Sequence, residues 1–326
     1  MSRSLRSLHN DEEERFLVRV AWACYIEGLT QAAAAERFGV TRLRVNKALG
    51  DVRRRGLLRV SINSAHAPCA ELETRLRGTY GIQEAHVAPT GDAETVQLRV
   101  GTALGNFLGR YLLNPEIQLF GMSWGNTLNY ATRSMEPLGR PDLEIVTVMG
   151  GLSQGSDVNS FEITKSLAEL CKAQHSYLTA PLYADSKRSR KTICELEVFR
   201  EMISKIKSVD ALAMAAGDLS SRALLIRYGL PKEVTVDELR RRGAVGDVLG
   251  YILDQDGQPI DHPINERIIG IELSDLMQVP NVILAAGGTH KVPIIRAALK
   301  AGLVRVLVTD EETAREMLSL DGGGSR

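Results

Sequence analysis

Apolar residues recur at three- and four-residue spacing over residues 11–27, where Phe16, Val20, Ala23 and Cys24 share one face, and this predicts a first helix. Gly28 ends it, and Thr30 is placed to cap a second helix, TQAAAAERF, that stops at Gly39. Thr41 caps a third helix reaching to about residue 54, with Val45, Leu49 and Val52 as its inward stripe. Two short helices joined by a glycine-containing turn make a helix-turn-helix pattern. Residues 57–62 (LLRVSI) follow as a short extended segment, the expected place of a wing, and residues 62–71, with Pro68, interrupt the periodicity.

Beyond that point short apolar runs alternate with amphipathic stretches. Strands are predicted over 85–88, 117–121, 143–148, 176–179, 211–215, 282–286 and 304–308. Helices are predicted over 94–111, 161–172, 192–207, 291–301 and 311–318. The alternation implies an α/β domain with a doubly wound, mostly parallel sheet, behind a small all-α helix-turn-helix domain. The expected division is residues 1–61 and 62–326.

Composition leaves this picture intact. Of 326 residues, 44% are hydrophobic and 25% charged, as in an ordinary globular protein. No apolar run approaches the length of a membrane span, and the start MSRSLRSLHNDEEE lacks the apolar core of a secretory signal, so a cytoplasmic protein is expected. The four cysteines, Cys24, Cys69, Cys171 and Cys194, are scattered and form no CxxC pair, which favours free thiols over disulfides or a zinc site.

Charge does change the picture. Residues 1–60 hold 12 Lys/Arg against 7 Asp/Glu, while the other 266 hold 28 against 33. A basic front end on an acidic body points to an anionic partner for the front end alone. The third helix turns Arg42, Arg44, Asn46 and Lys47 outward, and Arg53, Arg54 and Arg55 follow. Arg and Asn can pair with guanine and adenine edges in the major groove, whereas the arginine run suits phosphates. With Thr30, Gln31 and Thr41 at the helix starts, these residues form the candidate DNA-binding set. A basic three-helix bundle used only for packing has the same pattern.

Ligands of doubly wound sheets bind outside the carboxyl ends of the strands. At one such end, LFGMSWGNTLNYA brings a strand into a glycine-rich loop that opens a helix. The amides of Trp124, Gly125, Asn126 and Thr127 would converge on an anion or hydroxyl, with Ser123, Asn126 and Thr127 adding side chains. The loop has neither GxxxxGK[ST] nor GxGxxG, which argues against ATP or a dinucleotide. At another end, VILAAGGTHKVPIIRAAL sets Lys291 in a first helical turn, where a cation opposes the dipole unless an anion offsets it. His290 adjoins it. Further candidates are Gln154 and Asn159 in VMGGLSQGSDVN, Asp218 after Gly217, and Asp247 among apolar neighbours in AVGDVLGY. Each of these positions also fits a turn or capping role.

Read in order, GLTQAAAAERFGVTRLRVNKAL, ELETRLRGTYGI, GMSWGNTL, MGGL, GAVGDVLGYILDQDG and GGTHKVPIIRAALKAGLVRVLVTDEETA resemble the SorC-type regulators of sugar catabolism, historically grouped with DeoR. The resemblance spans about residues 16–318. It implies a large domain similar to the glucosamine-6-phosphate deaminase and ribose-5-phosphate isomerase folds, used for sensing. It also implies homo-oligomers, commonly tetramers, that bind palindromic operators and respond to a sugar, polyol or sugar phosphate, with no cofactor. By motif, Ser123–Thr127 corresponds to the loop that binds phosphate or hydroxyls, Asp247 to the acid that holds hydroxyls, and Lys291 to the basic contact. Asn126 stands where many relatives have Arg, and Met149 where bisphosphate-binding relatives carry Arg, which argues against a bisphosphate. Two other readings stay open: an isomerase- or deaminase-like enzyme using Asp247, His290 and Lys291, and a DNA-binding scaffold whose large domain only oligomerises.

Overall fold

A computed structural model describes residues 2–58, 64, 67–152 and 158–321, with side chains from residue 12 onward. The chain divides into two compact units, Met1–Ser64 and Ala65–Arg326.

The first unit is built from α1 (Ser2–Tyr25), α2 (Gln31–Phe38) and α3 (Arg42–Arg54). α1 starts earlier than its apolar spacing predicts. No glycine or proline lies between residues 2 and 11, so the helix propagates through them, and the acids at 11–14 fall inside it rather than at its positive end. The caps form as read: Thr30 Oγ1 accepts the Ala33 amide at 3.1 Å, Gly39 closes α2 at φ 62°, and Thr41 Oγ1 accepts the Arg44 amide at 3.3 Å. Leu17, Val20, Ala34, Val45, Leu49 and Val52 meet in the core of this unit. Most of the expected wing at 57–62 falls outside the described residues.

The second unit holds β1 (Glu84–Ala88), β2 (Leu119–Met122), β3 (Glu144–Thr147), β4 (Gln174–Ser176), β5 (Ala211–Met214), β6 (Ala216–Gly217), β7 (Gly246–Val248), β8 (Tyr251–Leu253), β9 (Asn281–Ala285) and β10 (Val306–Asp310). Its helices are α4 (Ala67–Tyr80), α5 (Val96–Tyr111), α6 (Asn126–Ser134), α7 (Ser160–Cys171), α8 (Lys187–Glu195), α9 (Glu197–Lys207), α10 (Val236–Arg241), α11 (Leu273–Leu276), α12 (Val292–Lys300) and α13 (Glu311–Asp321). Seven strands form one sheet in the order β1-β10-β9-β5-β2-β3-β4, and every pairing in it is parallel. Both faces are covered, which is why its strands read as continuous apolar runs. On one face Val100, Leu104, Leu128 and Ile163 pack against Phe120, Ile145 and Ile283. On the other, Leu76, Ile206, Ile294 and Met317 pack against Val146, Leu212 and Leu284.

Three expectations need correction. Pro68 opens α4 instead of breaking the chain; in a first turn its missing N–H costs nothing. The helix expected over 192–207 is two helices meeting at Leu196, whose ψ is 136°. Ile193 and Phe199 both pack on the core, and on a continuous helix they would point about 120° apart. The strand expected at 176–179 is β4, a few residues earlier.

A second sheet, β6-β7-β8, is antiparallel and was not anticipated. β7 and β8 join through Leu249 and Gly250, both left-handed at φ 53° and 83°, the backbone of a two-residue hairpin. That hairpin carries Asp247.

Candidate functional site

In the first unit α3 buries Val45, Ala48, Leu49 and Val52 and exposes Arg42, Arg44, Asn46 and Lys47. Arg44 is engaged within the unit, its guanidinium 5.1 Å from the centre of the Phe16 ring. Arg53 lies over the Tyr25 ring and donates to its hydroxyl, and Arg54 pairs with Asp51. Thr30 and Thr41 spend their oxygens on the caps, and Gln31 is half-buried. Arg42 and Asn46, one turn apart, and Lys47 further round the helix are exposed with no polar partner among the described residues.

In the second unit a cavity of about 380 Å³ opens at the carboxyl ends of β2, β5 and β9. The β2–α6 turn contributes Trp124, Gly125, Asn126 and Thr127. Gly125 sits at φ 132°, a backbone that a side chain would strain, and α6 begins immediately after it. The β9–α12 turn contributes Gly287, Gly288, His290 and Lys291. Asp310, the last residue of β10, fixes this second turn: its carboxylate accepts the Gly288 amide at 2.8 Å and caps α13 by accepting the Thr313 amide at 3.0 Å.

The small sheet supplies the acids. Asp247 is cross-strand from Gly217, and a Cβ at Gly217 would overlap the Asp247 Oδ1, so the glycine makes room for the carboxylate. Asp247 Oδ2 accepts the Gly250 amide at 3.2 Å, and Asp218 Oδ1 accepts the Ser220 hydroxyl at 2.9 Å. Burial pushes the Asp247 carboxyl up to about 6, although the Gly250 amide and the nearby Lys291 both favour its charged form. Burial lowers Lys291, against the pull of Asp218 and Asp247. It also lowers His290, whose ring lies 4.0 Å from Asp218. The Lys291 ammonium makes no hydrogen bond or ion pair with a described residue, although only 8% of the residue is exposed.

The raised Asp247 carboxyl has a testable sign. Since its folded value exceeds the unfolded one, the group adds stability below about pH 4 and loses it as pH rises through about 6. Asp247→Asn should therefore stabilise the protein at pH 7, by up to about 3 kcal/mol, and by about half as much at pH 5. Thermal unfolding of both proteins at the two pH values checks this; equal gains at both would refute it.

The cavity brings together eight residues expected from sequence: Trp124, Gly125, Asn126, Thr127, Asp218, Asp247, His290 and Lys291. It does not bring in Ser123 or Asn159. Ser123 is buried below the loop, its amide bonded to the Ala213 carbonyl and its hydroxyl unpartnered among the described residues. Asn159 precedes α7 and donates to the Leu152 carbonyl at 3.2 Å. Gln154 lies outside the described residues. Glu94, Gln97, Arg222 and Glu312 also line the cavity and were missed. They stand on surface turns and helix starts, where a charged side chain gives no signal of its own.

Residues 64–319 match the Sugar-bind family, described as a sugar-binding domain. The chain is 32% identical over 316 residues to the transcriptional regulator LsrR of Enterobacter sp. (strain 638), covering 95% of this chain and 94% of that protein. The full-length sorbitol operon regulator SorC from Klebsiella pneumoniae superposes with a TM-score of 0.71 at 26% identity, covering 94% of this chain and 99% of that one. The chain belongs to the SorC-type family of sugar-responsive transcriptional regulators. The regulator is also 26% identical over 314 residues to the erythritol catabolism regulatory protein EryD of Brucella abortus (strain 2308), covering 96% of this chain and 99% of that protein. These relatives are transcriptional regulators rather than enzymes, and their matches include the helix-turn-helix unit as well as the cavity. Among the described residues, no helix is long and apolar enough to cross a membrane.

Proposed function

We propose that the regulator binds operator DNA through α3 and is controlled by a sugar, polyol or sugar phosphate held in the cavity at the strand ends. Residues 1–61 serve DNA and residues 62–326 the effector and self-association. The observation that carries this reading is Lys291, a buried cation with no hydrogen bond or ion pair to a described residue, lining a cavity that also holds Asp218 and Asp247. Paired acids accept hydroxyl donors, and the ammonium offers hydrogen bonds to a hydroxyl or phosphate oxygen, which is the equipment for a polyhydroxylated ligand. Asn126 and Thr127, at the start of α6, add hydrogen-bond donors on the same wall. Ser123 and Asn159 act, on this reading, by supporting the loops around the ligand.

Control is a population shift. A ligand that binds one arrangement of the oligomer better biases it toward that arrangement, and the spacing of paired helix-turn-helix units on DNA changes with it. The oligomer is a dimer or tetramer in the cytoplasm, acts without a cofactor and has no catalytic role.

A thermal-shift screen of polyols, sugars and their monophosphates, followed by gel shifts on DNA flanking the gene, tests the whole reading. At 100 times its Kd a true effector adds about 2.7 kcal/mol to stability and should alter the retarded complex. Failure of every compound to raise Tm would remove the sensor. Turnover of any compound by the purified protein would instead establish an enzyme.

A further inference from the structure

We infer that Leu43, on the outer face of α3, is a specificity-determining residue that reads the 5-methyl group of a thymine in the major groove. The inference rests on the reading that α3 binds operator DNA. Leu43 is 78% exposed, the largest exposure of any large apolar side chain among the described residues. Single exposed leucines are common on protein surfaces, but the position of this one is particular. At about 100° per residue, the buried positions Val45, Ala48, Leu49 and Val52 centre on one line along α3, and Leu43 lies about 170° from that line. It is therefore the summit of the face turned away from the core. It also belongs to the first turn of α3, the part of such a helix that meets base edges.

Its surroundings identify what it meets. From Thr41 to Gly50 the chain carries Arg42, Arg44 and Lys47 and no acid. Asn46 and Lys47 stand three and four residues beyond Leu43, the spacing of neighbours on a helix surface. An apolar tip flanked by donors and cations suits an anionic surface with an apolar spot recessed in it. The major groove is such a surface, because phosphates line its rims and thymine alone among its base edges adds a methyl group. A protein partner needs roughly 800 Å² on each side, far more than one leucine amid cations supplies. Gly50, seven residues on, continues the same line with no side chain. A glycine inside a helix weakens it, yet a Cβ there would meet only the far end of the Arg54 side chain, at 3.4 Å, so packing within the unit does not demand it. Its bareness lets the face come close to the floor of the groove.

Uracil differs from thymine only in lacking that methyl, which gives the test. The full-length protein selects its preferred site from a random duplex library, and each thymine of one half-site is then replaced by uracil in turn. One replacement should weaken binding by the parent about fourfold, the effect of removing one buried methyl group. Leu43→Ala should bind the thymine duplex weaker by about fourfold or more, melt with the parent, and no longer distinguish uracil from thymine at that position. Leu43→Met keeps an apolar tip and should retain most of the discrimination. Equal sensitivity to uracil in the parent and Leu43→Ala at every position would overturn the proposal, since an effect of DNA shape acts on both proteins alike. So would a parent indifferent to every replacement, or a Leu43→Ala protein that keeps full DNA affinity and loses self-association, which marks a contact between proteins. Failure of the library to yield any preferred sequence is a different result: it removes the DNA reading itself, and this assignment with it.

Discussion

Lys291→Met should weaken the response to effector by about 100-fold while leaving folding and ligand-free operator binding intact. Lys291 closes a short helical turn, Thr289–Lys291, and is the residue immediately before α12, where its charge opposes the helix dipole. Asp218 and Asp247 favour its charged form, yet neither approaches within ion-pair distance, and burial works against it. The protein thus carries a desolvated cation whose donors bond no described residue. A ligand oxygen that accepts from it gains a charge-assisted hydrogen bond, worth about 1.5–3 kcal/mol, and relieves an existing penalty. Methionine has similar length and no charge, so the empty protein should melt at the same temperature or higher. The effector concentration for half-maximal release from DNA is the quantity to measure. A variant that responds like the parent would show that the ligand binds elsewhere.

The parts of this site that the sequence disclosed are those fixed by local rules. Gly125 and the polar run after it mark a strand-to-helix turn, and Lys291 stands out because a cation is misplaced at a helix start. Parallel strands buried on both faces are similarly plain, as uninterrupted apolar runs separated by helical periods. The hairpin that holds Asp247 was illegible for a specific reason. Its turn uses Leu249 in a left-handed conformation where Asn or Gly is the usual signal, and its strands are three residues each, too short for a period of two to emerge. Asp310 could be read as a cap for α13, but its bond to the Gly288 amide crosses between neighbouring strands and exists only in the folded sheet. Arg44 shows the same limit from the other side. Helical spacing puts it outward, while its packing over Phe16 depends on how α1 meets α3.

That difference between Arg44 and its neighbours decides how the DNA surface responds to substitution. Arg42→Ala with Asn46→Ala should lower affinity for the specific operator by about 2–6 kcal/mol, at least thirtyfold, if each loses a paired contact to a base edge. Both side chains are exposed and neither touches the core, so the variant should melt with the parent. Arg44→Ala is a poorer probe, because it also strips the cover from Phe16 and would mix destabilisation with lost recognition. Arg53→Ala with Arg54→Ala should behave differently again. Those side chains end α3, are exposed although Arg53 contacts Tyr25 and Arg54 pairs with Asp51, and suit phosphates, so their loss should weaken every duplex alike. It should also reduce the slope of log affinity against log salt by up to about 2, one for each phosphate contact removed. Titrations of operator and scrambled DNA at several salt concentrations separate the two patterns. If the first pair of substitutions weakened scrambled DNA as much as operator, α3 would hold the backbone without reading the groove, and sequence recognition would have to come from another part of the chain.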